Sequence, residues 1–491
     1  MSDNEKQPFD SQDCDWDASL THHIPDLARD TAAESWKRDL RLLLAIAAPN
    51  VMSTVAQTLL SIVDYAIVSQ LGPSAQAAVS TGAMVFFSIF GMLLGMMVCV
   101  TTVVSQSLGA NRLRDCSAYA WQGIWFSLLC GLSVFILWPM MPALYDWFGH
   151  APDVRDMEVS YTQIRLISLG LAGASVALGH FFNGIHKPMQ NTISVVGANI
   201  INAFLSYGLV FGKWGLPQMG VDGAAWGTVI ASCVRVFWLL GAMCFGKNAA
   251  RFDPLHSWGL DWDKMRRLVR VGWPSGIEFV LNITAWAAFL AFIIGAFGTK
   301  HLAATATCWR FTELSFMPAI GIGIAVSTIV GRSIGQGRCD LARRRARLGT
   351  LINMIYMGIM AVIFVIFGRE LMQIFSDDQT VIKIGTQLMV FVAMFQLFDA
   401  IAITYSNALR GAGDTLWPGM VSSLQAWSIM VGGGTLMVCF QPGLGSKGPW
   451  IFATAHVITV GITLWARWHH GRWERLDVIG RAESPISESA A

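Results

Sequence analysis

The decamers VVSQSLGANR (residues 103–112) and IVGRSIGQGR (residues 329–338) resemble each other and lie 226 positions apart. Other pairs of residues keep this spacing to within two positions along most of the chain. A spacing this constant over such a length indicates duplication of one large unit. The matching positions are Pro49 with Pro274, Asn183 with Asn407, Gly220 with Gly445, and Gly223 with Gly448.

Each half of the duplicated chain carries six apolar segments, each of about 20 residues or more, which is enough to cross a bilayer. The twelve lie near residues 42–68, 76–106, 118–141, 161–182, 192–212, 223–245, 268–297, 302–331, 348–368, 384–409, 417–440 and 449–468. Because six is even, both halves have the same topology and form parallel repeats about an axis along the membrane normal. The sequence predicts an all-α polytopic membrane protein of twelve transmembrane helices in two pseudo-symmetric six-helix bundles.

Composition supports this class. Of the 491 residues, 54% are hydrophobic and 13% are charged, about half the charge of a soluble domain. A net charge of +2 gives no nucleic-acid surface, and the nine cysteines show no metal-ligand spacing. No GxxxxGK[ST] loop and no catalytic motif occurs, so we expect no ATP binding, no cofactor and no enzymatic activity.

Lysine and arginine are concentrated in alternate loops, and the positive-inside rule places these loops and both termini in the cytoplasm. The predicted location is the cell (inner) membrane. The predicted organisation is a polar cytoplasmic tail (1–38), an N-lobe (39–246), a cytoplasmic linker (247–265), a C-lobe (266–470) and a loosely held cytoplasmic tail (471–491).

Four acidic residues lie well inside apolar segments: Asp64, Glu278, Glu313 and Asp399. A charged acid near the bilayer centre costs about 2.5–3.5 kcal/mol on insertion scales, so such residues are functional candidates by default. Glu313 is the exception, because Arg310 lies three residues before it and the spacing favours an ion pair within one helix.

Asp64 ends a polar stripe on the first segment, where helical spacing places Ser61, Gln57, Ser53 and Asn50 on one face. This stripe either serves a binding site or joins helices through small polar groups. The fifth segment carries Asn199, Asn202 and Ser206, for which ion coordination and helix bridging stay equally open.

Glu278 shares a face with Ser275 and Asn282, and Asp399 follows Gln396 by three residues. A structural alternative for Glu278 is an ion pair with a basic group from another helix, for which Arg165, His180 and Arg235 are available.

The repeat distinguishes residues that both halves share from residues that occur in one half alone. Pro49 and Pro274 are equivalent, and each removes a backbone hydrogen bond inside a spanning helix, so both are predicted hinges. The acids are not repeated: Glu278 is equivalent to Ser53 and Asp399 to Ser175. The charged groups therefore look specialised to each half.

Several stretches resemble the multidrug and toxic compound extrusion (MATE) family, most closely its bacterial NorM type, over about residues 40–470. They are IVDYAIVSQLG, VVSQSLGANR, NAFLSYGLVFGKWGLPQMGVDGAAWGT, IVGRSIGQGR and NALRGAGDTLWP. The resemblance implies twelve helices in two lobes arranged as a V. It also implies a monomer in the bilayer that exports cationic amphipathic compounds in exchange for Na+ or H+.

The resemblance also implies two groups of site residues. Glu278, Asp399 and Asn282 would bind the coupling cation in the C-lobe, with the two acids as tentative Na+ ligands. Phe395 stands where NorM-like members carry a tyrosine ligand, and Ser206 stands where relatives often carry Asn or Asp. In the N-lobe, the coupling or gating residues would be Asp64, Gln57, Asn202 and Ser206.

The rival function is a lipid-linked oligosaccharide flippase of the same superfamily. It would need several basic residues in the cavity for a pyrophosphate group, and the candidates here are Arg165, Arg235 and Arg310.

Overall fold

The computed structural model describes residues 32–246 and 249–480, and this part of the chain contains helices and no strands. The cytoplasmic tail predicted for residues 1–38 thus lies largely outside the described residues, as does the end of the second tail. Ten helices are long and apolar enough to cross a membrane, and two further helix pairs, bent by 43° and 48°, each qualify together. Counting each bent pair as one span gives the predicted twelve.

We number these spans α1 to α12. The six of the N-lobe are α1 (Ala32–Ser69), α2 (Pro73–Gly109), α3 (Leu113–Gly131 and Val134–Phe148), α4 (Pro152–Ile167 and Leu169–Gly184), α5 (Pro188–Phe211) and α6 (Val221–Phe245). The six of the C-lobe are α7 (Trp262–Phe297), α8 (Thr299–Gly335), α9 (Cys339–Ile366), α10 (Gln379–Ala412), α11 (Leu416–Phe440) and α12 (Lys447–His469).

The first helix of each half packs into the core of the other half. Leu43, Ile46 and Ala47 in the first half of α1 are buried in a cluster whose other members come mostly from the C-lobe. Leu268 and Val271 on α7, the repeat equivalents of Leu43 and Ile46, are buried in a cluster made mostly of N-lobe residues. The duplication is therefore visible in the packing, and the exchange of helix ends joins the two lobes.

Both repeated prolines lie inside continuous helices, and a threonine from the same lobe binds a backbone carbonyl group near each. Thr192 at the start of α5 donates to the Pro49 carbonyl oxygen at 2.6 Å. Thr415, just before α11, donates to the Val271 carbonyl oxygen, three residues before Pro274, at 2.7 Å. The carbonyl groups that lose their helix partner are those of Ala45 and Arg270, four residues before each proline. The two threonine bonds therefore attach the proline regions to neighbouring segments and do not replace the lost helix bonds. The hinge role of the prolines stays a prediction.

Among the described residues, the two ends of the molecule differ in whether ion pairs join the two lobes. At the end that carries the basic loops, buried Asp39 of the N-lobe pairs with Arg344 and Arg345 of the C-lobe. At the opposite end, Arg155 pairs with Asp146 inside the N-lobe at 2.8 Å, and Lys300 pairs with Asp378 inside the C-lobe at 2.9 Å. The lobes are thus held together at the basic end.

Helices of the two lobes approach at backbone distance at this same end. A methyl group on Gly95 of α2 would lie 2.5 Å from the Ser275 carbonyl oxygen of α7. A methyl group on Gly276 would lie 2.6 Å from the Met92 carbonyl oxygen. Small residues permit such close packing where the hydrophobic effect does not drive helices together.

The segment after α12 differs from the loose tail that the sequence predicts. Val478 and Ile479 are buried, and Val478 belongs to the apolar core cluster of the N-lobe. Arg112 and Arg267 donate to the Ile479 carbonyl oxygen at 3.0 and 2.9 Å. The C-terminal segment therefore crosses from its own lobe and is bound under the other.

We expect Ile479→Asp to lower the free energy of unfolding by roughly 2–4 kcal/mol, because it places a charge in a buried apolar position. Leu476→Asp is the matched control, since Leu476 in the same segment is 37% exposed. Thermal unfolding of both variants in detergent tests this, and equal melting temperatures would show that the segment is not bound in solution.

Candidate cation-binding sites

Asp64 lies on α1 and is bound by an amide of α5. The Asn202 Nδ2 atom donates to both carboxylate oxygens, at 2.9 and 3.0 Å. Ser206, one turn further along α5, donates to the Asn202 Oδ1 atom at 3.2 Å. Three of the four residues predicted for the N-lobe site thus form one hydrogen-bonded group.

Two features hold α5 in the register that this group needs. Asn199 donates through Nδ2 to the Ala56 carbonyl oxygen of α1 at 2.9 Å. On the other side of α5, Gly227 of α6 has no side chain where Ser206 approaches, and a methyl group there would lie within 2.4 Å of the serine hydroxyl oxygen.

The polar stripe on α1 leads from this group along an open surface. Gln57 and Ser61 are exposed, although both lie inside an apolar helix of the predicted membrane segment. Polar side chains at this depth face water or protein rather than lipid. Gln57, the fourth predicted N-lobe residue, lies on the same face two turns before Asp64 and makes no hydrogen bond to it, so its share in the site stays a prediction.

The nearest cation to Asp64 is not bound to it. The Arg165 guanidinium carbon lies 4.3 Å from the centre of the Phe86 ring, and the group interacts with Asp64 through space. In the described residues, the polar partner in contact with Asp64 is a neutral amide.

Glu278 has a charged partner on α10. Its Oε2 atom lies 3.7 Å from the Arg410 Nη2 atom, and the two side chains are 14% and 20% exposed. The structural alternative of an ion pair with another helix is therefore observed, but Arg165, His180 and Arg235 were the wrong partners. The observed partner, Arg410, lies on the face of α10 that carries Asp399, but the spacing along α10 does not indicate that this face lies opposite α7.

Asn282 does not reach the Glu278 carboxylate. Its Nδ2 atom donates to the Glu278 backbone carbonyl oxygen at 3.2 Å, one turn back along α7. Its side-chain oxygen remains available, so its predicted share in a cation site stays a prediction.

Asp399 is half-buried on α10 and makes no hydrogen bond or ion pair with any other described residue. Phe395, one turn earlier, is 3% exposed and packs in the apolar core of the C-lobe. The residue where a tyrosine was expected therefore offers neither a hydroxyl group nor a position facing open space. Gln396 binds elsewhere, to the Ser315 hydroxyl oxygen at 2.8 Å.

The structure does not unite Glu278 and Asp399 in one hydrogen-bonded group. Arg410 and Asp399 are eleven residues apart on α10, which is about 16 Å of helix rise and more than the length of an arginine side chain. The arginine that neutralises Glu278 therefore leaves Asp399 without a partner.

Glu313 behaves as its spacing predicts. Its Oε2 atom lies 3.8 Å from the Arg310 Nη1 atom on the same helix, and the arginine side chain is 68% exposed. The intrahelical ion pair is confirmed, and Glu313 serves as a comparison for the three other acids.

We expect Gly227→Ala to destabilise the protein by roughly 1–3 kcal/mol, because the added methyl group has to displace Ser206 and with it the Asn202 amide. Gly241→Ala on the same helix is the control, since no atom lies within 4 Å of its new methyl group. Melting temperatures compare the two, and an equal or higher value for Gly227→Ala would contradict the close approach of α5 and α6.

Comparison with known proteins shows which family the chain resembles. The NorM protein of Chromobacterium violaceum, named a probable multidrug resistance protein, is 28% identical over 87% of this chain and 92% of its own length. The multidrug resistance protein PmpM of Pseudomonas aeruginosa is 28% identical over 84% of this chain and 88% of its own length. A solved outward-facing conformation of a multidrug resistance MATE family transporter of the MOP superfamily superimposes with a TM-score of 0.81 at 18% identity. That match covers 91% of this chain and all of the other.

The family model MatE matches twice, at residues 49–208 and 274–432. The two matches begin at the repeated prolines and together cover more than half of the chain, so the protein belongs to the MatE family of membrane transporters.

Proposed function

We propose that the protein is a secondary active multidrug efflux antiporter. It exports cationic amphipathic compounds in exchange for Na+ or H+ by alternating access. Its relatives named multidrug resistance proteins support the substrate class. The observation that carries the proposal is a pair of intramembrane carboxylates, Asp64 in one lobe and Asp399 in the other, neither of which forms an ion pair among the described residues.

A carboxylate of this kind provides exchange without ATP or a cofactor. While charged it attracts a cationic compound, and when H+ or Na+ neutralises it the attraction is lost, so substrate and coupling cation bind in alternation. The side-chain oxygens of Asn202 and Ser206 beside Asp64 suit a hard cation such as Na+. The isolated Asp399, which lacks a tyrosine hydroxyl nearby, is the group better suited to a proton.

The charge distribution supports an orientation in the cell (inner) membrane. The end at which the lobes are joined carries the arginine-rich loops, so it faces the cytoplasm under the positive-inside rule, with both termini on that side. The opposite end would then open to the outside. Bending at Pro49 and Pro274 is the proposed means by which a single chain, as a monomer, passes to the inward-open state.

The flippase hypothesis is weaker because its three candidate cations do not converge on one site. Arg165 packs on the Phe86 ring, Arg235 donates to the Asn191 side-chain oxygen at 3.1 Å, and Arg310 pairs with Glu313. Each basic group thus has a separate local partner, whereas a pyrophosphate group would need several of them together.

We expect efflux of ethidium from proteoliposomes, driven by imposed Na+ or H+ gradients, to fall roughly tenfold or more in Asp64→Asn, Asp399→Asn and Glu278→Gln. The reason is that each substitution removes a charge whose neutralisation couples the two fluxes. Initial efflux rates under each gradient alone identify the coupling ion.

Glu313→Gln is the control. Glu313 is also an acid inside an apolar segment, but its partner Arg310 lies on the same helix and is exposed. The efflux rate of Glu313→Gln is expected to equal that of the unmodified protein. An unchanged rate of gradient-driven efflux in all three test variants would overturn the antiport mechanism. An efflux rate that does not depend on either gradient would overturn cation coupling.

A further inference from the structure

Arg410 occupies a position that the proposed antiport mechanism does not yet use. Its guanidinium group joins α10 to Glu278 of α7, and this ion pair is largely withdrawn from solvent. A second bond, to the Asn407 Oδ1 atom at 3.4 Å, lies within its own helix. The pair therefore connects two C-lobe helices that share no other charged contact in the described part of the chain.

Both of these helices bear directly on α2 of the other lobe. The Arg410 carbonyl oxygen accepts a hydrogen bond from the Thr102 hydroxyl group at 2.8 Å, and the Gly411 carbonyl oxygen accepts one from the Gln106 Nε2 atom at 3.0 Å. On α7, Ser275 touches Gly95 at backbone distance, one turn before Glu278. The ion pair thus lies between two C-lobe segments that both contact α2.

Of the titratable groups that interact with Arg410 among the described residues, Glu278 is the carboxylic acid. The titratable groups that face Arg410 are Cys99 on α2, His180 on α4 and Glu278 itself. The His180 ring binds the Thr101 hydroxyl group at 2.8 Å, which keeps it near the guanidinium but offers no negative charge. If Glu278 is neutralised, the partly exposed guanidinium keeps its charge and loses the carboxylate that it faces among the described residues, so the attraction that holds it beside Glu278 is lost.

We propose that Arg410 is a tethered competitor of the coupling cation for Glu278, and that its displacement by that cation loosens the closed end of the two lobes. This inference rests on the proposed antiport function. In the closed state Arg410 holds Glu278 and the α2 contacts stay intact. When H+ or Na+ takes Glu278, α10 and α7 separate, and the hydrogen bonds from Thr102 and Gln106 are weakened. The positioning role of Arg410 explains how one small cation alters a contact between lobes.

Cys99 is a native reporter for this interface. It is fully buried on α2, and its Sγ atom lies 3.5 Å from the Ser275 Oγ atom of α7, beside the ion pair. With the other eight cysteines replaced by serine, reaction with N-ethylmaleimide measures how often α2 and α7 separate. The rate is recorded in nanodiscs against Na+ at fixed pH and against pH at fixed Na+. Glu278→Gln at each pH gives the baseline for thiol chemistry alone.

We expect the coupling cation to raise the Cys99 labelling rate of the unmodified protein about fivefold or more, and Glu278→Gln to label fast at every cation concentration. Arg410→Gln also breaks the pair, so we expect fast labelling of Cys99 even without cation. Cation affinity is therefore read, for this variant and for the unmodified protein alike, from the cation-dependent rise in melting temperature. Because the competitor is gone, the half-saturating cation concentration of Arg410→Gln should fall about tenfold. Arg410→Lys keeps a charge but loses the planar group, and we expect an intermediate value that also serves if Arg410→Gln does not fold.

The outcomes separate this proposal from the antiport function. Equal half-saturating concentrations in the unmodified protein, Arg410→Gln and Arg410→Lys would overturn the competition, even if ethidium efflux is cation-coupled. Slow labelling in Glu278→Gln would overturn the link between the pair and the lobe contact. A lower half-saturating cation concentration in the Arg410 variants, together with an efflux rate that does not depend on either gradient, would reject the antiport function and retain the competition.

Discussion

A carboxylate inside a membrane helix has to be paired, hydrogen-bonded or hydrated, and this molecule meets that constraint differently at Asp64, Glu278 and Asp399. Asp64 accepts two hydrogen bonds from one neutral amide. Glu278 faces a guanidinium group, and Asp399 has neither kind of partner among the described residues. The cost of exposing a charge to hydrocarbon is similar for all three, so the differences lie in what the protein provides. A neutral amide, a fixed cation and an open position give three unlike affinities for an incoming cation.

The duplication supplies the same scaffold to both lobes and leaves this chemistry to single positions. Equivalent residues of α1 and α7 are buried in the opposite lobes, and a threonine binds a carbonyl oxygen near each repeated proline. In contrast, the position equivalent to Glu278 is buried Ser53. In the proposed mechanism, the shared scaffold lets the two lobes move as similar bodies, and the unequal charges let them respond to different ions.

The sequence predicts those features that follow from pattern. Apolar segments of spanning length, a constant offset near 225 and helical spacing yield the twelve helices, the two lobes and the Glu313 pair. The Asp64 group was predicted through the family resemblance, because helical spacing alone left ion coordination and helix bridging equally open for Asn202 and Ser206. The partner of Glu278 was not, because nothing in the spacing along one helix determines which helix lies opposite. The bound C-terminal segment was missed for a related reason: two apolar residues, Val478 and Ile479, are too few to form a periodic pattern.

The position of the basic groups relates the closed end to the acids. Asp39 is bound between two arginines of the other lobe, while Arg410 binds Glu278 one layer deeper and offers its backbone to α2. Contacts that depend on the Arg410–Glu278 ion pair are weakened when H+ or Na+ neutralises Glu278. Close packing of helices at glycine residues does not depend on charge. The interface therefore combines a packing component, which permits closure, with an electrostatic component, which an external cation competes for. In the proposed mechanism, a cation releases the lobes if the loss of the electrostatic component outweighs the attraction that the packing still provides.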